Sequence, residues 1–164
     1  RLGASLKAPR RTGRPSSMKL VFLAHLLATL TMVGVIWVVQ LVHYPLFSGV
    51  GASGWAAYSA EHQWRITLIV GPAMVLELAT AVWLVLDRPA AFPAWAVMAG
   101  LVAVGVIWVA TALFSVPAHN ALSVVFDAEA HRRLVATNWL RTLVWTFRAG
   151  LVLWLTALAL DRGL

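Results

Sequence analysis

Four windows of this chain are apolar for twenty residues or more, and no other feature limits the fold as strongly. A bilayer core of about 30 Å is crossed by ~20 helical residues. Leu20–Val42, Ile66–Leu86, Trp95–Val116 and Trp139–Leu160 all meet that length. Each is apolar all round, without the period-two alternation of a barrel strand, so helices are expected. Composition agrees: 61% of the 164 residues are hydrophobic and 12% are charged, with a mean hydropathy of +0.82. A water-facing domain carries roughly 25% charged residues, and this chain has too few to cover such a surface. The absence of cysteine excludes a disulfide scaffold, a thiolate metal site and thiol redox chemistry. The expected fold class is all-α, an integral membrane four-helix bundle. Its single transmembrane domain covers residues 20–164, preceded by a basic, disordered tail over residues 1–19.

Proline and charge mark the ends of the spans. Pro45 and Pro117 follow the first and third, Asp87-Arg88-Pro89 follows the second, and Asp161-Arg162-Gly163 follows the fourth. Trp83, Trp95 and Trp154 fall at one membrane edge and Trp64 and Trp139 at the other, as an aromatic belt requires. The tail, residue 88 and residue 162 together place eight basic residues on the side of the termini, against four on the other. By the positive-inside rule both termini are cytoplasmic, and the expected location is the cytoplasmic membrane of a bacterium. Met18-Lys19 reads as a start position; counted from there, the balance is three against four. The 23-residue first window is too long for the ~7–15-residue core of a signal peptide. A basic tail beside a membrane span is explained by anionic lipid heads, so no nucleic-acid partner is expected.

The chain repeats itself. Val33-Gly34-Val35-Ile36-Trp37-Val38 recurs identically at 104–109, 71 residues later, and Leu86-Asp87-Arg88 recurs 74 residues later at 160–162. Gln63-Trp64-Arg65-Ile66-Thr67-Leu68 resembles residues 138–143. Two tandem helix pairs related by a pseudo-two-fold axis along the membrane normal are expected. The two connections away from the termini, residues 43–63 and 117–137, exceed the usual loop length and are expected to turn helical. Asp127 is a candidate N-cap, and Glu61–Arg65 and Glu129–Arg133 have i,i+4 spacing.

Charged residues inside a bilayer cost at least ~2.5–3.5 kcal/mol each and seek partners or a cavity. Glu77, Arg141 and Arg148 are such residues. Arg141 and Arg148 are seven apart on one face, with Asn138, Trp145 and His131 on or near the same stripe, forming a polar seam on the fourth helix. Glu77 and Arg148 differ in expected depth by about 6 Å, so they are expected to pair. Gln40, His43 and Tyr44 form a polar group at the end of the first span. Arg65 and Arg141 hold nearly matched positions in the repeat and could together clamp a carboxylate or phosphate. The candidate ligand-binding set is therefore Gln40, His43, Arg65, Glu77, Asn138, Arg141 and Arg148. His43, His62, His119 and His131 form a weaker candidate metal set, since none shows the i,i+4 spacing of a helical metal motif. Haem held by two histidines finds little support: the repeat sets Phe114 opposite His43, and His25 has no second histidine at its depth.

No Gly-rich phosphate loop or nucleophile motif is present. The reading is a small polytopic membrane protein whose outward-facing polar seam binds a small ligand or cofactor, an amphiphile being one candidate. Two alternatives stand beside it. One is a non-catalytic subunit of a membrane complex or a homodimer; the other is a metal- or haem-dependent oxidoreductase.

Overall fold

The computed structural model describes residues 14–162, all of which fall into helices and short turns without a strand. Residues 1–13 of the basic tail lie outside the described residues. Four helices are long and apolar enough to cross a membrane. α1 covers Arg14–Val38, α2 Trp55–Leu86, α3 Ala94–Ala110, α4 Val116–Ala121 and α5 Ala128–Asp161. The first helix thus begins before residue 20, within the stretch expected to be tail. α2 and α5 also begin about eleven residues before the apolar windows that predict them. At 1.5 Å per residue these two helices are roughly 48 and 51 Å long, so both extend well beyond a ~30 Å hydrocarbon core. The long connections have become helix, and Asp127 caps α5 by accepting a hydrogen bond from the Ala130 amide at 2.7 Å.

The helices form a ring in the order α1, α2, α3, α5, with each packed against its two neighbours. The start of α1, the end of α5 and the 87–93 turn share one end of the bundle, the terminal end. The 44–54 and 122–127 connections share the other, the loop end. There Trp55 Nε1 donates to the Leu122 carbonyl at 2.7 Å and Ser59 Oγ donates to the same oxygen at 3.2 Å, tying the second connection to α2.

The interior is built in layers along the axis. Phe22, Leu84, Phe92, Ala96 and Leu155 fill the terminal end. Met32, Ile36, Met74, Ile107 and Trp145 fill the middle, and Val39, Tyr44, Phe47, Trp55, Leu122 and Leu134 fill the loop end. The side chains facing outward are as apolar as those within: Leu20, Leu23 and Leu27 line one exposed face of α1. An apolar exterior is what lipid contact asks of a helix, whose neighbours give it no hydrophobic reason to hide such residues.

Two helices contain π-helical turns, Val39–His43 after α1 and Thr111–Ser115 after α3. Position 39 precedes position 111 by 72 residues, close to the sequence offsets of 71 and 74. Such turns insert one residue into the helix and re-aim everything beyond them. The polar residues considered next depend on that.

Candidate functional site

Polar side chains occupy two tiers between the apolar layers. The deep tier, toward the terminal end, centres on Arg148 of α5 and Glu77 of α2, each about 1% exposed. Arg148 Nε donates to Glu77 Oε1 at 2.9 Å, the pairing expected from their depths. Thr29 Oγ1 donates to the same carboxylate oxygen at 2.8 Å, and Trp145 Nε1 donates to Oε2 at 3.0 Å. Arg148 Nη1 donates to the Gly100 carbonyl, while Nη2 lies 3.3 Å from His25 Nε2 and 3.4 Å from Thr29 Oγ1. His25 Nδ1 is in turn 2.8 Å from Thr80 Oγ1. One guanidinium therefore touches all three other membrane helices. α2 and α5 stand diagonally opposite in the ring, and this pair crosses the gap between them. Gly100 packs directly against this group: a Cβ there would stand 3.5 Å from Arg148 Nη1, an ordinary van der Waals contact.

The loop-end tier differs in kind. Arg141, about 10 Å along α5 from Arg148, is 6% exposed. Its Nη1 donates to Ser115 Oγ at 2.6 Å, and its guanidinium lies 5.3 Å from the Trp145 ring centroid and beside the Tyr44 hydroxyl. No carboxylate among the described residues forms an ion pair with it. Tyr44 Oη is 2.9 Å from His119 Nε2, and His43 Nε2 is 2.7 Å from His62 Nδ1. The His62 and His119 rings lie 5.6 Å apart. Among the described residues three buried side-chain atoms lack any hydrogen-bond partner: His62 Nε2, Asn138 Oδ1 and Arg141 Nε. All three belong to this tier. Native interiors leave few such atoms, and the deep tier leaves none.

Two cavities open at the loop-end tier. One of about 310 Å³ runs between α1, α2 and α3; Met32, Ile36, Val70, Met74 and Trp108 line its length, the exposed Thr67 and Val75 line its outer side, and Tyr44, His119 and Arg141 close its loop end. Pro72 sits inside α2 beside it, where a proline withholds one intrahelical hydrogen bond. The second, of about 530 Å³, is a groove on the outer face between α1 and α2. Gly34, Val38 and Ile69 line it, with His43, His62 and Arg65 at its loop end. Val35, Val39 and Ile66 line both spaces and so form the wall between them.

The sequence-derived site residues are divided among these places. Gln40 does not join His43 and Tyr44, because the π-helical turn aims them differently. Gln40 faces α5, donating to the Val135 carbonyl at 3.3 Å and accepting from Asn138 Nδ2 at 2.9 Å and Thr142 Oγ1 at 3.4 Å. His43 faces α2, and Tyr44 faces α4 and Arg141. The paired clamp of Arg65 and Arg141 is not formed: the Arg65 side chain is 75% exposed and ion-paired to Glu61 one helical turn away, because α2 presents that face outward. Glu129 likewise pairs with Arg132 and, at 3.1 Å, with Arg133. Of the four histidines, His43, His62 and His119 converge, whereas His131 Nε2 binds the Tyr44 carbonyl at 2.8 Å. Among the described residues no three His, Cys, Asp or Glu side chains are arranged to hold a metal ion. The sequence reading did not include His25, Thr29, Thr80 and Ser115. His25 and Thr29 are four apart, and Thr80 follows Glu77 by three, so shared faces were the available signal.

Set against protein-family models, curated proteins and solved structures, the chain matches none of them.

Proposed function

We propose that this membrane protein binds a small amphiphilic ligand at the loop-end tier, with the ligand's polar head against Arg141, Tyr44 and His119 and its apolar part in the cavity that they close. One observation carries the reading. Arg141 is a buried arginine that stays charged, has no carboxylate partner among the described residues, keeps an unpartnered, fully buried Nε, and helps close the end of an apolar cavity. An uncompensated charge inside a membrane protein marks a site by default. The cavity volume lies within the ~300–1,000 Å³ range of small-molecule sites, and apolar walls with a few convergent polar groups are their usual lining.

In this reading the deep tier is structural. Its charges are paired and its hydrogen bonds complete, so Glu77 and Arg148 hold the helices while Arg141, His43, His62 and His119 serve the ligand. Gln40 and Asn138 hold α1 against α5 beside the site. On the full chain's balance of eight basic residues against four, this reading takes the termini as cytoplasmic and the site as opening to the opposite side.

The test is native mass spectrometry and solvent extraction of protein purified in mild detergent. A bound amphiphile near one per chain, lost from a folded Arg141→Gln variant and retained by Asn120→Ala, is the expected result. A wild-type protein that carries nothing and takes up no added amphiphile refutes the reading. An absorption spectrum and metal analysis of the same sample test the rival: a Soret band or stoichiometric metal would transfer the site to haem or metal chemistry.

A further inference from the structure

The geometry points to one ligand class and one route: an acidic single-chain amphiphile, with a carboxylate head, that enters sideways from the bilayer between α1 and α2. This rests on the amphiphile reading above and adds the head-group charge and the path.

The head follows from the guanidinium. Arg141 spends Nη1 on Ser115, and its Nε has no partner. The edge that carries Nε is the edge that can meet two carboxylate oxygens side by side. A single positive charge, without a second arginine beside it, is balanced by a monoanion. Arg65, the nearest rival cation in the sequence reading, is held outside by Glu61. A carboxylate therefore fits, and a doubly charged phosphate monoester would be left with excess charge in a low-dielectric site.

The tail follows from the cavity. From Ile66 to Val75 the space follows α2 for about 14 Å, bounded by Met32, Ile36, Met74 and Trp108. That length suits one extended hydrocarbon chain.

The route follows from the groove. It opens on the outer face of the bundle, where Val38 and Ile69 are more than half exposed. At Gly34 an added Cβ would meet nothing within 4 Å, so the glycine leaves the groove floor open instead of serving a close helix contact. Val35, Val39 and Ile66 line both groove and cavity, so the two spaces adjoin along α1 and α2. At the groove's loop end His43 and His62 place a polar pair, joined to each other at 2.7 Å, along the path of a head in transit.

The experiment uses the full chain in vesicles of phosphatidylethanolamine and phosphatidylglycerol, with dodecanoic acid carrying a terminal diazirine as the photoprobe, its chain matched to the length of the cavity. The matching dodecanol and dodecyl phosphate probes run in parallel, and labelled peptides are mapped by mass spectrometry. The acid should label cavity residues of α2 and α3, and Arg141→Gln should reduce that labelling by about tenfold or more, the worth of a charge-assisted hydrogen bond. Gly34→Trp, which fills the groove, should slow the labelling, whereas Val102→Trp on the outer face of α3 should not. Gly34→Leu repeats the test if the tryptophan variant melts early. Equal labelling by the alcohol overturns the acidic head, and stronger labelling by the phosphate overturns the carboxylate; both leave the amphiphile site standing. An unchanged rate in the groove variants overturns the lateral route alone. Absence of cavity labelling by all three probes removes this inference and the amphiphile reading together.

Discussion

Arg141 and Arg148 are the same residue type on the same face of the same helix, and their surroundings give them opposite uses. Arg148 has a carboxylate and a carbonyl as acceptors within a cage of four helices. Breaking such a pair by removing one partner leaves a buried charge alone, at about 3–5 kcal/mol. Glu77→Gln and Arg148→Gln should each therefore lower the detergent melting temperature sharply, as followed by circular dichroism. Glu77→Leu combined with Arg148→Met should recover most of the loss, because apolar groups of similar volume replace a buried pair at little cost. Arg141→Gln should behave differently. It removes a charge that has no counter-ion, so stability should stay within about 1 kcal/mol of wild type or rise, while bound amphiphile disappears. Both arginines were legible in the sequence as intramembrane charges, and depth counting found the Glu77 partner. The difference between them was not legible, since it depends on Thr29, Gly100 and Ser115, which look like ordinary small residues until the helices are packed.

Among elements, the apolar windows were read correctly as helices long and apolar enough to cross a membrane, but their ends were not. Hydropathy reports only the lipid-facing length, whereas α2 and α5 continue into polar sequence that is stabilised by caps and i,i+4 pairs. Asp127 was recognisable because a capping residue acts locally. Asp127→Ala should cost about 1 kcal/mol and should appear as faster hydrogen exchange at the first-turn amides of α5, with the membrane-embedded amides unchanged. Unchanged exchange at Ala130 would show that the cap contributes nothing. The π-helical turns were invisible, because nothing in a Val-Gln-Leu-Val-His run marks an extra residue in a turn. That single unseen feature explains why Gln40 and His43, three apart and nominally on one face, contact different helices.

At the scale of the whole molecule, the repeat and the charge balance bear on orientation. The chain contains no cysteine, so single cysteines can report it without background. Ser53→Cys in the loop-end connection should react with a membrane-impermeant maleimide in intact cells. Ala90→Cys in the terminal-end turn should react only after permeabilisation. The reverse pattern would turn the site toward the cytoplasm. The ring order of helices could not be read from the sequence, because four similarly apolar spans pack almost equally well in several arrangements. The observed order leaves α2 and α5 diagonal to one another. The crossing tie of Glu77 and Arg148 lies toward the terminal end, and the cavity lies toward the loop end. Mechanically, the ion pair is a cross-brace: it ties two helices that are not neighbours in the ring, so their register is fixed at a level away from the cavity.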